Sequence, residues 1–223
     1  MPKHAGSPRI WRWLCAGLVA ALPIGAAVAL HEPDSSRAVG TFHDDSAVFL
    51  SAADQNSAAD QAVRLQALLG QHSVLAADLM RSRIRGDDDF VQAANAALGK
   101  NTDDMSKLVG QLFGDDAAKA FAPMWSQHIV GLVTYAGALA DHNDSERKSS
   151  KAELLEYENK LADFFSGASQ GRLPRADARA AVHEHVDHLT EQADAYADKD
   201  YATADKLYRQ GFQHTYALLH HPE

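Results

Sequence analysis

Twelve histidines stand in this chain of 223 residues, and three of them recur at one spacing. His72 follows GQ, His128 follows SQ and His185 follows HE, with successive copies 56 and 57 residues apart. Neutral imidazole binds copper, iron, zinc and haem through a ring nitrogen, so a repeated histidine is a candidate ligand set. The stretch VHEHVDH at 182–188 concentrates His183, His185 and His188, yet these cannot act as one motif. On a helix His183 and His185 lie about 200° apart, so His183 is expected on the solvent side. His188 is one turn beyond His185 and joins the candidate set from the flank.

The elements that would carry these residues are legible from periodicity. From about residue 60 apolar side chains recur every three or four positions, the helix signal. Breaks at 85–89, 113–117, 141–145, 166–174 and 198–202 divide residues 60–223 into six helices. The expected fold is all-α, three antiparallel helical hairpins forming a bundle. Columns align without a gap at fixed offsets from each histidine. Asp87, Asn143 and Asp200 lie 15 residues on, at the hairpin turns, where an Asp or Asn caps the next helix. Pro174 suits the first turn of the fifth helix.

The same alignment selects a second column. Each repeated histidine lies in the apolar, core-facing stripe of the first helix of its hairpin. Twenty-nine residues later, in the stripe of the second helix, come Asn101, Tyr157 and His214. At a rise of 1.5 Å per residue both members of a pair sit roughly 21 Å from the turn. The expected pairs are His72–Asn101, His128–Tyr157 and His185–His214, together one polar layer through the core. As a metal site the layer draws on His72, His128, His185, His214 and His188, with copper or iron first and haem not excluded. As a structural layer the same residues simply satisfy one another's hydrogen bonds and fix helix register. A small organic or proton-linked ligand is a further use. No Glu-x-x-His pair is placed as in di-iron bundles.

Other features narrow the function classes. The net charge of −9 and the lack of a basic stripe argue against nucleic-acid binding. The single cysteine, Cys15, rules out an intrachain disulfide or a Cys-based zinc, iron–sulfur or haem-attachment motif within this sequence. Lys3, Arg9 and Arg12 precede the apolar run 14–30, and AVA at 27–29 fits a cleavage site, so residues 1–29 read as a signal peptide or N-terminal membrane anchor. Residues 30–59 read as a flexible tether. The expected location is therefore exported: periplasmic, extracellular or on the outer face of the cytoplasmic membrane, with membrane contact only through that anchor. His31, His43, His142, His220 and His221 are expected in tether, turn or terminus. Motifs of hydrolases, zincins and phosphate-binding loops are absent, so an enzyme ranks behind a metal-binding bundle and behind a structural or protein-interaction bundle of the cell envelope.

The segments LLGQH, ALGKNTDDMSKLVGQLFGDDAAKAFAPMWSQHI and FQHTYAL resemble a bacterial family of exported or envelope helical proteins. Its pattern runs E/Q-H, A-L-x-x-N, Y/F-G and W/L-x-x-H-I, with further histidines in a second half. The resemblance covers about residues 65–220 and implies that His72, Asn101, His128, His185 and His214 are motif positions. Some members carry copper amine oxidase-like labels. The Asn-Tyr-Asp/Glu tripeptide that supplies the quinone of such enzymes is absent here.

Overall fold

The computed structural model describes residues 58–218. The expected signal, most of the tether and the last five residues, His220 and His221 among them, lie outside that range. Six helices follow in order: α1 Ala58–Arg85, α2 Asp88–Phe113, α3 Asp115–Ala140, α4 Asp144–Ala168, α5 Arg175–Ala197 and α6 Tyr201–Ala217. The described chain is an all-α helical bundle. Helix α1 starts two residues before the expected boundary, inside the assigned tether. No described helix is long and apolar enough to cross a membrane.

Three of the connections share one geometry. Gly86, His142 and Lys199 each adopt positive φ, at 73°, 52° and 64°. The next residue, Asp87, Asn143 or Asp200, sends its N–H back to the carbonyl of Ser82, Ala138 or Ala195, at 3.0, 2.8 and 2.9 Å. This is the Schellman closure, which satisfies carbonyls that a helix end leaves free. The same Asp, Asn or Asp side chain then caps the following helix, accepting from the N–H of Phe90, Glu146 or Thr203. Two functions in adjacent residues make a joint short enough to force antiparallel neighbours. The α2–α3 joint is a single residue, Gly114, at φ 95°. Pro174 sits immediately before α5 rather than within it. Pro123 lies inside α3 and removes one backbone donor, but the helix continues.

Packing is cyclic. Helices α1, α3 and α5 touch one another at the centre. Each remaining helix seats in a groove between two of these: α2 against α1 and α3, α4 against α3 and α5, α6 against α5 and α1. The inner helices are the ones that carry His72, His128 and His185. Their core-facing stripes therefore point at one axis, and a residue at the same height on each meets the other two. Around that axis Met80, Leu132, Tyr135 and Leu189 build one apolar cluster toward the hairpin turns. Leu98, Met105, Phe121, Trp125 and Leu161 build another, which includes the far side of the histidine level.

Candidate metal centre

The three recurring histidines converge. One ligand atom from each of His72, His128 and His185 lies within 4.8 Å of the other two, the only such group found among the described residues. His72 is 0% exposed and His128 1%. The ring of His72 is 5.0 Å from that of His128 and 5.5 Å from that of His185, centre to centre. Solvent reaches part of His185, but both of its ring nitrogens are sealed and have no hydrogen-bond partner.

Tautomers follow from the partners. The Nδ1–H of His128 donates to the Trp125 carbonyl, which can only accept. Its Nε2 is therefore bare, and the Nε2–H of His72 donates to it at 3.1 Å. The Nδ1 of His72 is buried and unpartnered. Burial keeps all three rings neutral. His72 is held well below the usual imidazole range, first by loss of solvent and then by repulsion from His128 and His185. For His128 loss of solvent dominates and the value falls to about 4, opposed by its bond to Trp125. His185 falls to about 3, through loss of solvent and then His128, His214 and His188. Neutral rings with free lone pairs are the form that binds metals.

The outer column behaves differently from expectation. His128 and Tyr157 do meet, as stacked rings 4.7 Å apart and 14° from parallel. Asn101 does not bond His72: its Nδ2 donates to the Leu68 carbonyl at 3.0 Å and to Gln71 Oε1 at 2.9 Å. His214 likewise does not bond His185. Its Nε2–H donates to the Ala181 carbonyl at 3.0 Å, and its Nδ1 lies 3.2 Å from Glu184. Both contacts reach the carbonyl four residues before the inner histidine and the side chain one residue before it. The reason is geometric. The outer residue faces the backbone of the inner helix one turn before the histidine, where that carbonyl is an acceptor. The imidazoles turn inward to the axis instead.

His188 stays outside the triad. Its ring is 5.8 Å from that of His214, and its Nδ1 is buried without a partner. A methyl group at Gly211 would sit 3.0 Å from the His188 Cβ, so glycine is what lets α6 approach α5 there. His183 differs from expectation. It is half-buried, with Nδ1 3.0 Å from Glu158 and Nε2 3.3 Å from Asp187. The Glu158 side chain is 1% exposed, and loss of solvent raises its pKa against the pull of His183.

One contributor to the triad, Trp125, and one buried acid outside it, Glu158, escaped the sequence reading. Trp125 packs against both His72 and His128, at 4.8 and 4.7 Å, and its carbonyl sets the His128 tautomer. Its position three residues before His128, on the same helix face, was the available signal. Glu158 had none, because α4 around it is rich in Lys and Glu and reads as a solvated face. No family model, curated protein or solved structure matches this chain.

Proposed function

We propose that the protein is an exported, non-catalytic helical bundle that binds one transition-metal ion, copper first, through His72, His128 and His185. The observation that carries this reading is the convergence of three neutral imidazoles, one from each inner helix, with ligand atoms within 4.8 Å. Metal–imidazole bonds of about 2.0–2.1 Å place donor atoms roughly 3.3–3.6 Å apart around an ion. Closing the widest pair takes about one ångström of side-chain movement. The hydrogen bond from His128 to the Trp125 carbonyl supports the reading, because such partners commonly orient metal-binding imidazoles.

The donor set favours copper over iron. No carboxylate belongs to the cluster, whereas iron sites commonly include one. The desolvation cost of an ion rises steeply with its charge, so a buried set of neutral ligands suits monovalent copper best. Haem fits poorly, since the cavity beside the triad is only about 110 Å³. Export rests on Lys3, Arg9, Arg12 and the apolar run 14–30.

A second reading has its own observation. The His72–His128 hydrogen bond and the Tyr157 stack partner two of the three imidazoles without an ion. That arrangement suits a structural layer in an envelope bundle with no metal. One experiment separates the two. The full chain is loaded in turn with copper(I) under reductant, iron(II) and zinc(II), desalted and analysed for metal. About one copper per chain is expected, and none in a folded His128→Ala/His185→Ala variant. A wild type that retains no stoichiometric metal sinks the metal reading. The structural reading then predicts that the same variant loses roughly 1–3 kcal/mol per buried group left unpaired.

A further inference from the structure

Beside the triad, at the end where the inner helices begin, the bundle is hollow. A cavity of about 110 Å³ runs among all six helices, with Leu69 of α1, Leu108 of α2, Trp125 of α3, Leu161 of α4, Ala181 of α5 and Thr215 of α6 in its wall. Native interiors are packed as densely as organic crystals, with few voids larger than a water molecule. At about 30 Å³ for each water-sized group, this one has room for roughly four.

The hollow is long and narrow. Its wall on α2 runs from Met105 to Phe113, about 12 Å at the helical rise. Spread over that length, its volume leaves a mean cross-section of roughly 9 Å², the width of a single file of water-sized groups. It also has a mouth. The inner wall residues Met105, Leu108 and Leu161 are buried, whereas Leu65, Phe113 and Leu218, at the end of the bundle, are partly exposed. The wall itself is almost wholly carbon, and no Lys, Arg, Asp or Glu lines it. Trp125 and His185 meet the hollow with ring carbon, because Trp125 Nε1 and both His185 nitrogens are sealed. The Thr215 hydroxyl is already committed, donating to the Phe212 carbonyl at 2.8 Å.

We infer that the hollow takes a short, unbranched alkyl chain and leaves the chain's polar end in water at the mouth. A polar group carried inside loses its water and finds no partner in a carbon wall. A six-membered ring is wider than a single file of methylenes, so the shape selects a chain. Each methylene that enters exchanges water for apolar wall, a gain of roughly fourfold in affinity. The inference stands apart from the metal reading, because the chain ends against carbon and reaches no histidine nitrogen.

The test uses the full chain treated with chelator. Unbranched 1-alkanols from ethanol to octanol are titrated while side-chain methyl signals are followed by NMR. Saturable binding is expected, tightening roughly fourfold per methylene to about four or five carbons and levelling beyond. At equal carbon number 1-hexanol is expected to bind at least about tenfold tighter than cyclohexanol. Ala181→Leu fills part of the hollow and is expected to weaken 1-butanol at least about tenfold. Leu69→Ala removes about three carbons from the wall and is expected to carry the rise to longer chains by about that number. Leu69 is half-buried, so this readout stands if the leucine variant fails to fold. Absence of saturable binding overturns the assignment, as does a rise that runs unbroken to octanol in the wild type, the mark of surface partitioning. So does cyclohexanol binding as tightly as 1-hexanol, or a wild-type chain-length profile in either folded variant.

Discussion

The two ends of the bundle are held by different forces. At the end of the hairpin turns the contacts are directional. Arg81 donates to Gln192 at 2.9 Å, Arg85 to the Tyr196 hydroxyl at 2.9 Å, and the Tyr135 hydroxyl to Asp194 at 2.7 Å. Asp194 also pairs with Arg147 at 2.7 Å, and Arg81 lies over the Tyr208 ring. The opposite end is packed by Leu, Phe and Ala around a hollow. Hydrogen bonds fix the register of neighbouring helices, while apolar contact is tolerant of sliding. A polar lock at one end therefore lets the other end stay partly empty without the helices shifting. The histidine level lies between the two and inherits its register from the locked end.

The largest expected effect is on the histidine level, through pH. An unfolded imidazole takes up a proton near pH 6.5, but folded His128 does so only near 4 and His185 only near 3. Stability from keeping these rings neutral is complete above pH 6.5 and drains as pH falls toward those values. At pH 5 the loss is about 2 kcal/mol for each ring relative to pH 7. Urea melts at the two pH values check this, with a His128→Gln/His185→Gln variant as the reference. The variant is expected to show a much flatter dependence. An equal slope in both proteins would assign the acid sensitivity to the carboxylates of the locked end and break the contrast.

Next in size is the lock itself. Asp194→Asn removes the charge that serves both Tyr135 and Arg147, in a setting where the two ion-pair partners are 39% and 27% exposed. The tyrosine pKa is pushed up to about 12, mainly by burial, so its hydroxyl stays a donor. A loss of about 1–3 kcal/mol is expected in urea melts at pH 7. The contrast sharpens if metal content at the histidine level is unchanged in the folded variant. It weakens if Asp194→Asn costs less than a surface substitution.

How far these features could be read in advance depended on their range. Helix number, order and turns rest on local signals: three- and four-residue periodicity and the capping Asp87, Asn143 and Asp200. The triad was legible because His72, His128 and His185 occupy one column at one distance from those turns. Repetition thus stood in for three-dimensional information. Asn101 and His214 were placed at the right height but given the wrong partner, since side-chain periodicity says nothing about backbone carbonyls on the facing helix. Glu158 and the cavity depend on which face of a polar helix is covered, and on how side chains from six helices fail to fill a space. Neither leaves a mark on one segment of sequence.

The smallest effect tests the turns that define the locked end. Gly86, His142 and Lys199 occupy the same step of three Schellman closures, and only Gly86 is free of the side-chain clash that positive φ imposes. Lys199→Gly relieves that clash but also loosens the unfolded chain, and the two effects oppose each other. At a helix terminus in the left-handed region the relief is the larger, so a gain of about 0.5–1 kcal/mol is expected in urea melts. Gly86→Ala is the mirror test, with a loss of about 1 kcal/mol. Both sites lie roughly 21 Å along their helices from the histidine level, so metal content should not change. If Lys199→Gly altered it, register set at the turns would be reaching the histidine level, and the two ends would be mechanically coupled rather than separately held.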